Sequence, residues 1–283
     1  MSGPIERACL VANLQIRCWL GYRFDRGASD QLTSEASAAK DVARVNKHIV
    51  PKEFLQAIIS ARSGVQTQFY TETLPWKDNG DRLITRAGFM PFIEKHQASV
   101  ATFNEAVEKF LTQDYLTAQD QAQFRMGSLF KPDDYPTVSE LRHKFGVNLD
   151  IDSVSKAHDF RLENNEAAMQ ARVTQAVGAL WKKLADPLEH YAEKLAEPDA
   201  IFRDSLVGNL REMAELIPSL NFTEDENLEA IRVQIAEQLA GWDASDLRKD
   251  KAARAQVGAA AQGILDSMRG FMTAMGHSEG AEQ

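Results

Sequence analysis

The sequence predicts a mainly α-helical protein made of long antiparallel helical hairpins, coiled-coil-like in length, with a small two- or three-stranded β element. Three observations carry this expectation. Apolar residues recur at steps of three and four over stretches of roughly thirty to forty residues, far beyond the average helix of about eleven to twelve. Period-two alternation, the mark of a half-buried strand, runs over residues 10–19 and 147–152, and strand is expected only near 10–20 and 146–162. The composition, 44% hydrophobic and 26% charged over 283 residues, suits a globular chain that buries a core without disulfides or metals.

Taken in order, Ala12, Leu14, Ile16 and Cys18 alternate with Asn13, Gln15, Arg17 and Trp19, and Gly21 ends the run. Pro51 suits the first turn of a helix reaching about Phe69. Residues 87–128 place Phe89, Phe92, His96, Val100, Phe103, Val107, Phe110 and Tyr115 along one face of a long helix with an aromatic stripe. Asp134-Tyr135-Pro136-Thr137 reads as a turn into a helix Val138–Phe145. Val147, Leu149 and Ile151 alternate with Asn148, Asp150 and Asp152, and His158 to Leu162 offers a third short strand. A helix over 163–196 carries Pro187, which would kink or split it. Two shorter helices follow, 200–217 ending at Pro218 and 224–241 capped by Thr223 with Glu226 three residues on. A last helix covers about 244–275. The organisation expected is a helical segment with the small sheet over 1–160, a helical bundle over 161–276 and a flexible tail over 277–283, the two halves being able to share one bundle.

Charge and composition narrow the function. The net charge of −9 is matched by the segment 185–230 alone, which has twelve acids against three bases, so the rest of the chain balances. A phosphate-binding protein usually shows a basic stripe, and that footprint is weak here. Cys9 and Cys18 are too few for a disulfide framework, no apolar run is long enough to span a bilayer, and no signal or lipidation motif stands at either end. The expectation is a cytoplasmic protein with no cofactor.

No phosphate loop, dinucleotide fingerprint or nucleophile elbow occurs in the sequence, and no Cys-x-x-Cys. Glu140 and His143 make one Glu-x-x-His pair where a helical di-iron site needs two, and a solvated helix face explains it as well. His96, on the aromatic stripe, reads as a satisfied core histidine. The adjacent Asp133 and Asp134 read as part of a turn. The expected protein is therefore not an enzyme. Its candidate interaction residues are Trp76, Asp78 and Arg82, which flank the tight-turn signal Asp78-Asn79-Gly80. The other reading of this segment is a connection whose Trp76 plugs the core. A second candidate set is Met268, Phe271, Met272 and Met275, adaptable apolar residues near the chain end that predict a homo-oligomer or a docking site over 257–275. Arg248, Lys249, Lys251 and Arg254 form the best basic cluster for nucleic acid, but Asp246 and Asp250 dilute it, and an ordinary charged helix face competes.

Three stretches, Leu74 to Ile84, Leu129-Phe130-Lys131-Pro132-Asp133-Asp134-Tyr135-Pro136 continuing to Phe145, and His158 to Leu162, resemble in order and spacing an uncharacterised family of mostly helical proteins encoded by tailed bacteriophages and related mobile elements. The resemblance covers roughly residues 8–215. Its members look like neighbours of ring-forming ATPases and adhesion-type metal-binding proteins, which implies an accessory role beside a larger machine and transfers no catalytic residue. The function expected is that of a phage-type accessory or assembly protein acting through protein–protein contacts. The alternative is a nucleic-acid-binding accessory factor in phage DNA metabolism.

Overall fold

The computed structural model describes residues 4–39, 41–154, 165–197 and 200–274. The chain is mostly helical with a small antiparallel sheet, as expected. In order, the elements are α1 (Pro4–Ala8), β1 (Cys9–Arg17), β2 (Tyr22–Phe24), α2 (Arg26–Glu35), β3 (Asn46–His48), α3 (Lys52–Thr71), β4 (Leu74–Pro75), β5 (Arg82–Thr85), α4 (Phe89–Lys109), α5 (Tyr115–Met126), α6 (Val138–Arg142), β6 (Gly146–Ser153), α7 (Asn165–Ala196), α8 (Ser205–Leu220), α9 (Glu226–Gln238), α10 (Ala244–Lys249) and α11 (Lys251–Ala274). The strands form a four-stranded sheet of order β4-β5-β1-β6 and a separate ribbon of β2 and β3, in place of the two or three strands expected. The strand expected at His158 to Leu162 lies outside the described residues, and so does the boundary expected at 160/161.

Two compact units are built from interleaved segments. The first joins Met1–Asn13, Thr71–Phe92 and Asp150–Gln283. Its core gathers Leu180, Trp181, Leu184, Leu188 and Tyr191 of α7, Leu206, Leu210 and Ile217 of α8, Leu228, Ile231 and Ile235 of α9, and Val257, Ala261, Ile264 and Met268 of α11. These are the three-and-four steps of the sequence turned inward. α11 runs antiparallel to α7. Arg254 near its start reaches the Lys194 carbonyl, and Phe271 near its end meets Trp181 at 6.2 Å. The helices approach closely at Gly258, where a Cβ would stand 3.2 Å from that of Leu195. α7 also packs on α8 and β4, and α9 packs on both α8 and α11, so each long helix spreads its apolar face over several elements.

Caps explain where the helix ends differ from expectation. Asp225, not Thr223, caps α9, accepting from the amides of Asn227 (2.9 Å) and Leu228 (3.3 Å) while its second oxygen accepts from Trp181 Nε1 at 3.1 Å. The last helix is two: Asp250 breaks it and accepts from the amides of Ala252 and Ala253 at 2.9 and 3.0 Å. Pro187 lies inside α7 without ending it. α8 runs past Pro218 to Leu220, because a proline in a closing turn removes a single ladder bond. The turn Asp78-Asn79-Gly80 closes a β-hairpin of β4 and β5. Gly80 takes a φ of +92°, and β5 pairs onward with β1 in the register Cys9↔Thr85 to Ala12↔Arg82.

The second unit joins Leu14–Tyr70 and Ile93–Leu149. The long aromatic helix expected over 87–128 is present, but a π-helical turn, Phe110–Asp114, joins α4 to α5 within it. Phe110 and Tyr115 sit 5.7 Å apart in the core, with Trp19 and Phe145 against them. The Tyr115 hydroxyl donates to the Pro136 carbonyl at 2.6 Å, and that of Tyr135 to the Ile49 carbonyl at 2.9 Å. Thr137 and Glu140 form a capping box at the start of α6, which accounts for the glutamate of the Glu-x-x-His pair. His96 is buried with Nδ1 3.3 Å from Gln68 Oε1, and burial lowers its pKa. It is a core histidine, as its place on the stripe suggested.

Candidate interaction surface

Trp76 is 2% exposed and packs in the core of the first unit beside Leu74 and Leu83, with the Arg172 guanidinium 5.9 Å from its ring centroid. Arg82 is turned back on its own hairpin, donating from Nε to Thr73 Oγ1 at 2.6 Å and from Nη2 to the Thr73 carbonyl at 2.8 Å. Next to it, Lys183 donates to the Thr71 carbonyl at 3.0 Å, and burial followed by the charge of Arg82 brings its pKa down to about 8. Of the three candidates only Asp78, in the turn, is exposed. The anchor reading of Trp76 is the one the geometry matches. A cavity of about 120 Å³ beside the indole is lined by Asn13, Asp81, Asp152 and Arg172. Asp81 in it is already held by Lys77 and Asn13, each at 3.0 Å. No cluster of His, Cys, Asp or Glu able to hold a metal occurs among the described residues.

The end of α11 packs within its own unit. Met268 is 1% exposed, and Phe271 and Met272 pack against the same core; Met275 lies outside the described residues. Of the apolar edge expected there for self-association, Met268 is buried and Phe271 rests on Trp181 of α7. The basic cluster is likewise drawn into the fold. Arg254, 6% exposed, donates to the carbonyls of Lys194, Glu197 and Ala200 at the end of α7 and sits 5.1 Å from the Phe202 ring. Arg248 donates to the Phe202 carbonyl at 3.0 Å and pairs with Asp204 at 2.7 Å. Lys249 and Lys251 remain exposed at the helix break.

A different surface stands open on the second unit. β2 and β3 pair antiparallel with Tyr22↔His48, Arg23↔Lys47 and Phe24↔Asn46 opposite each other. Period two sends Arg23 and Lys47 to one face and Tyr22, Phe24, Asn46 and His48 to the other. On the first face Lys47, 5% exposed, is closed in an ion set: its ammonium meets Asp25 Oδ2 at 3.1 Å and Asp134 Oδ2 at 2.5 Å and donates to the Leu129 carbonyl at 2.9 Å. The carbonyl takes a hydrogen bond, and the two carboxylates meet the ammonium as ion pairs. The Ala28 amide, then Lys47, hold the Asp25 carboxyl below its ordinary pKa. Burial works to lower the pKa of Lys47, but the two carboxylates outweigh it and hold the ammonium above its ordinary value.

The other face is exposed. Tyr22 is 46% and Phe24 44% accessible, the Tyr22 ring meets His48 edge-on at 4.4 Å, and the Arg44 guanidinium lies 4.8 Å over Phe24. Arg125 borders this face by donating to the His48 carbonyl at 2.6 Å. Leu129, the residue whose carbonyl anchors Lys47, is exposed as well. Aromatic rings interleaved with arginine are the composition of binding hot spots. The signal in the sequence was faint: Tyr22-Arg23-Phe24 is a three-residue alternation between Gly21 and Asp25, too short to register as a strand.

No protein-family model, curated protein or solved structure matches this chain. Among the described residues no helix is long and apolar enough to cross a membrane.

Proposed function

We propose that this chain is a non-catalytic accessory or assembly protein of bacteriophage type, cytoplasmic, that acts by binding another protein through the open face of the β2–β3 ribbon. The observation that carries this reading is the pair Tyr22 and Phe24, exposed side by side on a ribbon whose reverse face is pinned by the Lys47 ion set. Rigid, half-exposed aromatics bind at little conformational cost, because few rotamers remain to be frozen. The test is an affinity pull-down with cross-linking from cells infected by the encoding phage, comparing the native chain with Tyr22→Ala/Phe24→Ala. A partner recovered by the native chain, cross-linked near Arg44 or Arg125 and lost with the double variant supports the reading. Recovery equal in both overturns it.

The nucleic-acid reading draws on the same alternation of ring and cation, which suits stacked bases. It is the weaker of the two, because Arg254 is buried, Arg248 is paired with Asp204, and the net charge of −9 repels phosphate.

A further inference from the structure

We infer that the outer edge of β2 receives an extended, acidic segment of the partner protein as a third strand of the ribbon, an inference that rests on the binding reading above and names the partner's chemistry. The ladder shows which backbone groups are free for this. Asp25 donates to the Val45 carbonyl at 3.0 Å and Ile49 to the Gly21 carbonyl at 2.9 Å, so 25/45, 23/47 and 21/49 are the hydrogen-bonded pairs. Tyr22 and Phe24 occupy the alternate pairs, and their amides and carbonyls point away from β3. Among the described residues none of these groups has a partner. The outer side of β3 differs, since Arg125 already takes the His48 carbonyl. β2 is therefore an open edge, flanked by exposed rings, of the kind that strand addition uses.

Charge selects the occupant. A strand laid along β2 places one residue opposite Arg23 and its two neighbours opposite Tyr22 and Phe24. Arg23 is 58% exposed and only loosely engaged, 3.5 Å from Asp134. An acidic residue opposite it would complete a cross-strand ion pair, and apolar neighbours would pack on the two rings. Arg44, over the Phe24 ring, favours a further acid at that end. The expected recognition pattern is apolar–acidic–apolar. The same geometry disfavours a second copy of this chain pairing β2 on β2 about Arg23, because two arginines would then face each other.

The test uses the full chain and two fluorescein-labelled peptides, one carrying Val-Glu-Val-Glu-Val and one carrying Val-Lys-Val-Lys-Val, followed by fluorescence anisotropy. The expected result is saturable binding of the glutamate peptide only, weakened by salt. Arg23→Glu should lower that affinity by at least about tenfold while the chain keeps its helical circular dichroism, and Arg23→Gln, which brings no like charge beside Asp134, should weaken it in the same direction. Phe24→Pro should do the same by removing an outward amide that the ribbon itself does not use. If Phe24→Pro fails to fold, Arg23→Glu alone decides. Equal binding of the two peptides, no binding of the glutamate peptide, or indifference to Arg23→Glu overturns the inference. Competition by labelled oligothymidine would assign the face to nucleic acid, and a dimer in light scattering abolished by Arg23→Glu would assign it to a second copy; each overturns it. A partner still captured through Tyr22 and Phe24 after such a failure would leave the broader binding reading standing.

Discussion

Lys47→Met tests the premise that the ribbon is pinned from behind. Methionine matches the length of the aliphatic stem but brings no charge. The substitution strips a cation from between two carboxylates, Asp25 Oδ2 at 3.1 Å and Asp134 Oδ2 at 2.5 Å, and leaves the Leu129 carbonyl without its donor. Lys47 and Asp25 side chains are each 5% exposed and Asp134 13%, so little water reaches the site to compensate. Breaking a buried ion set by removing one member costs about 3–5 kcal/mol, mostly the penalty of the stranded charge. At about 2–4 °C per kcal/mol for a chain of this order, the thermal midpoint should fall by roughly 10 °C. Circular dichroism at the helical band follows it directly. Adding Asp25→Asn and Asp134→Asn to Lys47→Met should recover part of the loss, since the carboxylates are then neutral too. A midpoint within about 2 °C of the native value for Lys47→Met would show the set to be solvated and the reasoning wrong.

The pH dependence should have two edges. The folded pKa of Asp25 lies below its ordinary 3.8, so its contribution is present above that value and is lost as pH falls through the folded one. That of Lys47 lies above its ordinary 10.5, so its contribution is complete below 10.5 and is lost as pH rises through the folded value. The difference in midpoint between the native chain and the triple variant should therefore be constant between these edges and change beyond each of them, whatever Lys183 and His96 add to both. Trp76→Ala should cost about 3–5 kcal/mol in denaturant unfolding, the cavity cost of a buried aromatic, and leave partner capture at the ribbon unchanged. Deleting residues 254–283 should unfold the first unit, because Val257, Ala261, Ile264 and Met268 lie in its core; a folded shortened chain of altered oligomeric mass in light scattering would instead restore the self-association role expected of Met268.

The helices were legible because their signal is long. Leu180, Leu184, Leu188, Tyr191 and Leu195 repeat one face often enough that no other period competes, and they line the core of α7. The strands were legible only where alternation ran long, as in β1 and β6. β4 and β5 hold two and four residues, and their turn signal Asp78-Asn79-Gly80 was seen without the strands it joins. Helix ends were misplaced where two cap residues compete within a few positions. Thr223 and Asp225 both suit a cap, and tertiary and loop contacts hold Asp225 there: Trp181 donates to its carboxylate and Asn221 bonds its backbone. Three of the interaction candidates are buried for a shared reason. Tryptophan, arginine and methionine are hot-spot residues because they bury much surface, and Trp76, Arg254 and Met268 bury it inside their own unit.

The ribbon shows why burial and exposure there cannot be read separately. Arg23 and Lys47 are cross-strand partners, and so are Tyr22 and His48 one step away. Because the side-chain period of a strand is two, a slip of one residue would exchange the faces, placing Tyr22 and Phe24 over Asp134 and sending Lys47 into water. Aromatic rings over carboxylates would leave Asp25 and Asp134 charged and unpaired, so the slipped register is penalised by the full cost of those groups. A ribbon of two three-residue strands has little else to hold its register, since β2 is exposed at every position. The buried ion set thus supplies register specificity where apolar packing cannot, and the open aromatic face follows as its geometric consequence. Asp134, which in the sequence reads as one half of an acidic pair in a turn, is in this sense as much a determinant of the exposed aromatic face as Tyr22 itself.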